Sequence, residues 1–172
     1  MGFLFIFRLF FSVGWGQCIY NTDQVPLPNT FEPSYIPKLV QFSNGCTTIV
    51  ELWASWCGPC RRIAPQIDEL LKEYPNLVIH QISADEKAVA MTQFIKKNPL
   101  HSPPFRLSRW TINELKTSFA QLGGQFEAAI PYFVVISPDG KVVLELTEPK
   151  DLEEIKDYLS KNPPPKKQSQ SK

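Results

Sequence analysis

The chain has 172 residues, a formal charge of +1 and four cysteines. This length predicts one domain with a hydrophobic core of its own. A charge near zero without a long single-sign run argues against nucleic-acid binding, and four cysteines are too few for a small fold that depends on disulfides.

Residues 1–16 are mostly apolar and aromatic, and the composition turns polar at Asn21. The apolar run is shorter than the roughly 20 residues of a membrane-spanning helix, and Gly14 and Gly16 stand where a signal peptidase prefers small side chains. Arg8, however, lies inside the apolar run rather than before it. We expect a signal peptide or a short membrane anchor, and export implies an oxidising compartment, most simply a periplasm.

Residues 17–46 are assigned to an N-terminal extension, and the first clear strand follows it. Residues 48–53 are a nearly continuous apolar run rich in β-branched and aromatic side chains, which predicts a strand buried on both faces. From 57 to 74 the apolar residues recur at helical spacing, and 77–82 predicts a second strand. This strand-helix-strand unit predicts a right-handed parallel crossover.

The next elements are less regular. Residues 86–97 are a helix candidate, whereas 98–109 contain three prolines and are predicted to be irregular or a short edge segment. A further helix is predicted to begin after Thr111, which forms a capping box with Glu114, and to end at Gly123.

The C-terminal part predicts a hairpin and a helix. Residues 132–136 and 141–146 flank Ser137-Pro-Asp-Gly140, a sequence typical of a tight turn. Residues 151–161 show the pattern of an amphipathic helix. Residues 162–172 have no apolar side chain except proline, which predicts a disordered tail.

Cys57 and Cys60 stand three residues apart at the predicted strand-to-helix turn, a spacing at which a disulfide can close. The free N–H groups and the dipole of a helix N-terminus stabilise a thiolate, which makes Cys57 the candidate nucleophile and Cys60 the resolving cysteine. We expect Pro59 to hold the turn and Gly58 to leave space beside the sulfur. The pair is therefore a candidate redox disulfide.

The run Trp53-Ala-Ser-Trp-Cys-Gly-Pro-Cys-Arg-Arg-Ile-Ala-Pro65 closely resembles the signature of the thioredoxin superfamily. The resemblance resumes at Ile130-Pro131, which a strand, a Pro-Asp-Gly turn and a second strand follow. It implies an α/β thioredoxin fold, in which a central mixed sheet made of a βαβ unit and a ββα unit is flanked by helices. It also implies a cis-proline at Pro131 and a backbone ledge for a client peptide at Ile130.

The predicted domain spans residues 47–161 and contains an insertion. About 40 residues separate Asp85 from Ile130, more than a plain thioredoxin needs. Together with the predicted export signal, this insertion before the cis-proline segment makes the chain resemble the exported TlpA and DsbE type.

Glu51 is the remaining candidate catalytic residue. A carboxylate in a buried strand is costly unless it is paired or neutral, and burial raises its pKa towards the range useful for proton transfer. Its position, six residues before Cys57, matches the buried acid of thioredoxins. The resemblance implies a proton shuttle for Cys60; a structural glutamate that reaches solvent is the alternative.

Three further features leave alternatives open. Cys18 could be lipidated, form a disulfide with Cys46, or remain a thiol. We interpret Trp56 as a residue that shapes the surface or contacts a partner, and His80 as a structural histidine. The cysteines and histidines outside the pair show no paired ligand spacing, so we expect neither a zinc site nor a cofactor.

The sequence thus predicts a thiol-disulfide oxidoreductase that exchanges disulfides in exported proteins, more as a reductant than as an oxidant, since Gly-Pro is the dipeptide of thioredoxin. The expected partners are cysteine-containing clients, including those of cytochrome c or copper-site maturation, and a membrane electron donor. We expect a periplasmic monomer, free or tethered to the inner membrane. The alternatives are a copper(I) chaperone and a binding module with a structural Cys57–Cys60 bridge.

Overall fold

The structure is a computed structural model that describes Cys18, Tyr20 and residues 30–100 and 105–167. The predicted signal or anchor segment, residues 1–16, lies outside the described residues. Within them, no helix combines the length and the apolar character needed to cross a bilayer.

A mixed sheet forms the centre of the fold. In the described residues it has six strands in the order β1-β4-β3-β2-β5-β6. The first four run parallel to one another, β5 is antiparallel to β2, and β6 is antiparallel to β5. In chain order these strands are β1 (Thr30–Phe31), β2 (Thr48–Trp53), β3 (Val78–Ser83), β4 (Phe105–Leu107), β5 (Tyr132–Ile136) and β6 (Val142–Thr147).

Helices cover both faces of this sheet. They are α1 (Ile36–Gln41), α2 (Gly58–Glu73), α3 (Ala88–Lys97), α4 (Ile112–Leu122) and α5 (Glu153–Lys161), and a short 3-10 helix, Pro33–Tyr35, precedes α1. The apolar residues of α2 and α5 pack together with one set of strand residues, and those of α1 and α4 pack with the other set. The predicted α/β architecture, a βαβ unit joined to a ββα unit, is confirmed.

Strands β2 and β3 are buried along their whole length. This burial on both faces is what their apolar runs predict for central parallel strands. The hairpin of β5 and β6 is also as predicted, and its turn is closed by the N–H of Gly140, which donates to the carbonyl of Ser137 at 2.9 Å.

The insertion adds a strand to the interior of the sheet. Residues 98–109 were predicted to be irregular or an edge segment, but β4 lies between β3 and β1. The edge prediction is therefore wrong, because β1, which precedes β2 in the chain, pairs with β4 and covers it. The helix that follows, α4, has the predicted capping box and ends at Gly123 in the left-handed conformation, φ 91°.

The segment predicted as an N-terminal extension contributes to the core. Residues 30–46 supply β1 and α1, and Ile36 and Leu39 of α1 are fully buried against the central cluster. Within the extension, Cys18 and Cys46 form a disulfide, which is one of the three alternatives that the sequence left open for Cys18.

The described part of the C-terminal segment contacts the domain. Lys167 donates from its backbone to the Asn76 side chain at 3.1 Å and from Nζ to the carbonyl of Leu77 at 2.9 Å, and it forms an isolated parallel bridge with Cys18. The disorder predicted from residue 162 onward stays a prediction, and within that segment Lys167 makes these contacts. The Lys167 ammonium group donates to the carbonyls of Pro75 and Leu77, in the loop that precedes β3.

Candidate active site

The redox pair lies where β2 passes into α2. Cys57 is the N-cap of α2, with the extended backbone that caps adopt, and its sulfur accepts a hydrogen bond from the N–H of Cys60 at 3.1 Å. Pro59 occupies the first turn of α2, where a missing N–H costs nothing and the fixed φ favours a helix. The local sequence therefore places one cysteine at the N-cap of α2 and the other in its first turn.

Cys57 and Cys60 form a disulfide with a Cα–Cα distance of 5.3 Å. Cys57 is 5% exposed and Cys60 is 2% exposed. Cys57 is thus the more exposed residue of the two, and Cys60 lies in the first turn of α2. This order of exposure is the one required if Cys57 meets a partner first.

A second segment, which precedes the neighbouring strand β5, reaches the same sulfur. The carbonyl oxygen of Ile130 lies 3.6 Å from Cys57 Sγ. The Ile130–Pro131 peptide bond is cis, as the resemblance implies, and Pro131 directly precedes β5. Ile130 is half-buried and Pro131 is buried. The predicted ledge and the redox pair are therefore in contact.

Glu51 lies in the middle of β2 and is 2% exposed. Its register neighbours are Gln81 on β3 and Phe133 on β5, and the Gln81 amide donates to its carboxylate at 2.8 Å. Burial raises the pKa of Glu51 to about 7, against the lowering effect of that hydrogen bond. The alternative of a glutamate that reaches solvent does not fit this burial.

The side chains that flank the pair differ in exposure. Trp56 is 63% exposed, whereas Trp53 is buried and packs against Phe94 of α3 at a ring distance of 5.2 Å. A Cβ at Gly58 would lie 3.7 Å from the Arg62 guanidinium, an ordinary contact. The fold therefore tolerates a side chain at position 58, and glycine leaves the surface beside the sulfur open.

Asp85 was not singled out by the sequence analysis. It lies two residues after the end of β3 and is 1% exposed. Its carboxylate accepts hydrogen bonds from the Ser55 N–H at 3.0 Å and the Ser55 hydroxyl at 2.7 Å. The Ser83 hydroxyl donates to it as well, at 2.7 Å. Asp85 thus fixes the loop that carries Trp56 and Cys57. A carboxylate at the carboxyl end of a parallel strand is the signal that could have found it.

His80 lies on β3 away from the pair and is fully buried. Its Nε2 lies 3.3 Å from the Ser43 hydroxyl, and Nδ1 has no hydrogen-bond partner among the described residues. Burial lowers the pKa of His80 to about 3. The ring is therefore neutral near pH 7, in agreement with a structural role.

The known proteins that resemble this chain include thioredoxins and thiol-disulfide oxidoreductases. The thioredoxin family model matches residues 32–100. A chloroplastic thioredoxin M-type from Spinacia oleracea is 47% identical over 47 residues, 27% of this chain and 26% of that protein. The thiol-disulfide oxidoreductase ResA from Bacillus cereus is 26% identical over 123 residues, which cover 70% of this chain and 66% of ResA.

The matches therefore span less than two thirds of the length of either curated relative. Among solved structures, a thiol-disulfide oxidoreductase from Bacteroides fragilis superposes with a TM-score of 0.57 at 23% identity, over 70% of this chain and 83% of that one. This likeness establishes the fold.

Proposed function

We propose that this chain, which carries a thioredoxin domain, is a thiol-disulfide oxidoreductase that reduces disulfides in exported proteins. The observation that carries the proposal is the Cys57–Cys60 disulfide at the start of α2, beside the carbonyl of Ile130.

Cys57 is the nucleophile of the reduced protein. The N–H of Cys60 lies 3.1 Å from Cys57 Sγ, and the positive end of the α2 dipole lies at the same place, so negative charge on this sulfur is stabilised. The thiolate attacks one sulfur of a client disulfide and forms a mixed disulfide with it. The other client sulfur leaves as a thiolate and takes a proton from water.

Cys60 resolves the mixed disulfide. Its thiol first loses a proton to the Glu51 carboxylate, whose pKa of about 7 suits a base that works near neutrality. The Cys60 thiolate then attacks Cys57 Sγ, closes the intramolecular disulfide and releases the second client sulfur, which is protonated. Two electrons have passed from the protein to the client, and the Cys57–Cys60 disulfide is the product.

The client lies against the surface around Cys57. We assign the Ile130 backbone the role of a strand-like ledge in front of Pro131, since its carbonyl is 3.6 Å from the reacting sulfur. Gly58 and Pro59 form the open surface at the start of α2, and the exposed ring of Trp56 borders it. These contacts would orient the client disulfide towards Cys57.

The proposed direction is reduction. Thioredoxin, which has Gly-Pro between its cysteines, has a potential of about −270 mV, whereas the oxidant DsbA has about −120 mV. After each turnover the pair needs two new electrons, and we propose a membrane protein as their donor. The site of action is the periplasm if residues 1–16 direct export. Proteins of cytochrome c or copper-site maturation are the client classes that we propose.

The equilibrium potential of the Cys57–Cys60 couple tests the direction. We expect a value near −270 mV when the protein is equilibrated with glutathione or dithiothreitol buffers. A value near that of DsbA would contradict the reductase assignment.

A trapping variant tests the activity itself and identifies clients. Cys60→Ser can form mixed disulfides at Cys57 but cannot resolve them, so it should retain exported proteins that dithiothreitol releases. The matched control is Cys57→Ser, which should retain none. Equal amounts of captured protein in both variants would show that Cys57 is not the nucleophile.

A further inference from the structure

A pocket of about 270 Å³ opens next to the redox pair, on the side of Trp56. Trp56 directly precedes Cys57 and lines this pocket together with Trp110, which lies between β4 and α4. Ala84 and Ala90 complete its apolar lining. The insertion thus brings a second tryptophan to the redox site.

Hydrogen bonds fix the walls of the pocket. The indole N–H of Trp110 donates to the carbonyl of Ala84 at 3.2 Å. The Arg106 guanidinium donates to the carbonyls of Asp85 and Glu86 at 3.3 Å and 3.1 Å, and the Asp85 carboxylate holds the loop that carries Trp56. The pocket is therefore preformed, which lowers the entropic cost of filling it.

The chemistry of the lining selects an apolar ligand. The Asp85 carboxylate is 1% exposed and already accepts three hydrogen bonds, so it offers little to a polar ligand. Glu86 and Lys87 are exposed, and their opposite charges balance. Pockets for small molecules measure about 300–1,000 Å³. The volume of this pocket, about 270 Å³, lies just below that range and suits a single side chain.

We propose that this pocket binds an aromatic or branched aliphatic side chain of the client polypeptide, within three residues of the client cysteine. The proposal rests on the function proposed above, because a client disulfide that reaches Cys57 Sγ must place the flanking chain against Ile130 and Trp56. An extended chain advances about 3.3 Å per residue, which gives neighbouring side chains access to the pocket. Trp110 is then a specificity-determining residue.

Peptide substrates test the pocket directly. Each peptide contains one cysteine in a mixed disulfide with glutathione and carries phenylalanine or glycine at one of the three positions before or after it. The reduced protein releases glutathione from these peptides, and the rate is measured. We expect phenylalanine to accelerate release by roughly tenfold at one or two positions, the scale of discrimination by a hydrophobic pocket.

Two variants on α3 separate the pocket from the rest of the surface. Ala90→Phe fills the pocket and should lower the phenylalanine-to-glycine rate ratio to about one. Val89→Phe is the matched control, because Val89 is 58% exposed and does not line the pocket, and it should keep the wild-type ratio. Trp110→Ala removes a wall and should also lower the ratio, so the test remains valid if Ala90→Phe does not fold.

A wild-type ratio near one at all six positions would overturn the pocket assignment. So would a ratio that the folded pocket variants leave unchanged. In both cases the proposed function stands if the wild-type protein still reduces the glycine peptides. If it reduces none of the peptides, the proposed function fails and the pocket assignment falls with it.

Discussion

Glu51 and Asp85 are both buried carboxylates, but their hydrogen bonds differ. Asp85 accepts from two serines and closes a loop. Glu51 accepts from one amide, and burial raises its pKa to about 7. The hydrogen bonds of Asp85 stabilise a loop, whereas Glu51 can exchange a proton near neutral pH.

Glu51→Gln should slow the resolution step by about 100-fold, the lower range of general acid-base effects. In the wild-type protein the Glu51 carboxylate becomes available as the pH rises through about 7, so mixed-disulfide decay should accelerate there. The variant should lose this inflection. The check is the decay of a preformed mixed disulfide between pH 5.5 and 8.5.

The control for this measurement is Glu69→Gln, an exposed position on α2. It should decay at the wild-type rate across the same range. An inflection near 7 that persists in Glu51→Gln would assign the proton transfer to another group.

Asp85→Asn should destabilise the fold by about 1–3 kcal/mol, because an amide cannot accept from all the serine donors that the carboxylate satisfies. Urea unfolding of the oxidised protein measures this change. The neighbouring exposed Glu86→Gln should change the stability by less than about 0.5 kcal/mol. Equal effects at both positions would contradict the structural role of Asp85.

At the scale of elements, the length of a helix or strand determined whether the sequence could predict it. Strands β2 and β3 and helices α2 and α4 extend over six or more residues, and their patterns identified them. Strand β1 has two residues and β4 has three, too few to show a period. Their pairing is also non-local, which explains why β4 was expected at an edge.

The same contrast applies to the candidate site. The helix start with its two cysteines is a local feature, and its motif located it. The contact between Ile130 and Cys57 joins residues 73 positions apart, and it was expected only from a family resemblance. The hydrogen bonds between Asp85 and Ser55 depend on the geometry of the loops that follow two neighbouring strands. No periodic sequence pattern predicts the geometry of such loops.

Helix α4 depends on its capping box. The Thr111 hydroxyl accepts from the N–H of Glu114 at 3.2 Å, and the Glu114 carboxylate accepts from the N–H of Thr111 at 2.7 Å. Thr111→Ala should therefore cost about 1 kcal/mol of unfolding free energy. Thr117→Ala, at an exposed position inside α4, is the matched control and should be neutral or slightly stabilising. A neutral Thr111→Ala in urea unfolding would contradict this role.

At the scale of the whole molecule, two buried groups give opposite pH dependences. The pKa of Glu51 is raised from 4.5 to about 7, so its contribution to stability is complete below about 4.5 and is lost as the pH rises through 7. The pKa of His80 is lowered from 6.5 to about 3, so its contribution is complete above about 6.5 and is lost as the pH falls towards 3. Between pH 4.5 and 6.5 these two contributions change the unfolding free energy with pH in opposite directions, and they cancel.

Glu51→Gln should reveal the slope of His80. The unfolding free energy of the variant should increase by up to about 1.4 kcal/mol per pH unit between pH 4.5 and 6.5, whereas that of the wild type should stay nearly level, so the difference between the two should grow. Urea unfolding at several pH values measures this difference. A difference that does not change with pH would show that Glu51 titrates alike in the folded and unfolded protein.

The Cys18–Cys46 disulfide fixes the end of the fold at which the N-terminal segment joins it. Cys46 precedes β2 and Cys57 follows it, so the six residues of the strand, about 20 Å, separate this disulfide from the redox pair. The bridge between Cys18 and Lys167 brings the C-terminal segment to the same end. The chain that precedes Cys18 therefore joins the fold at the end of β2 remote from the reactive sulfur.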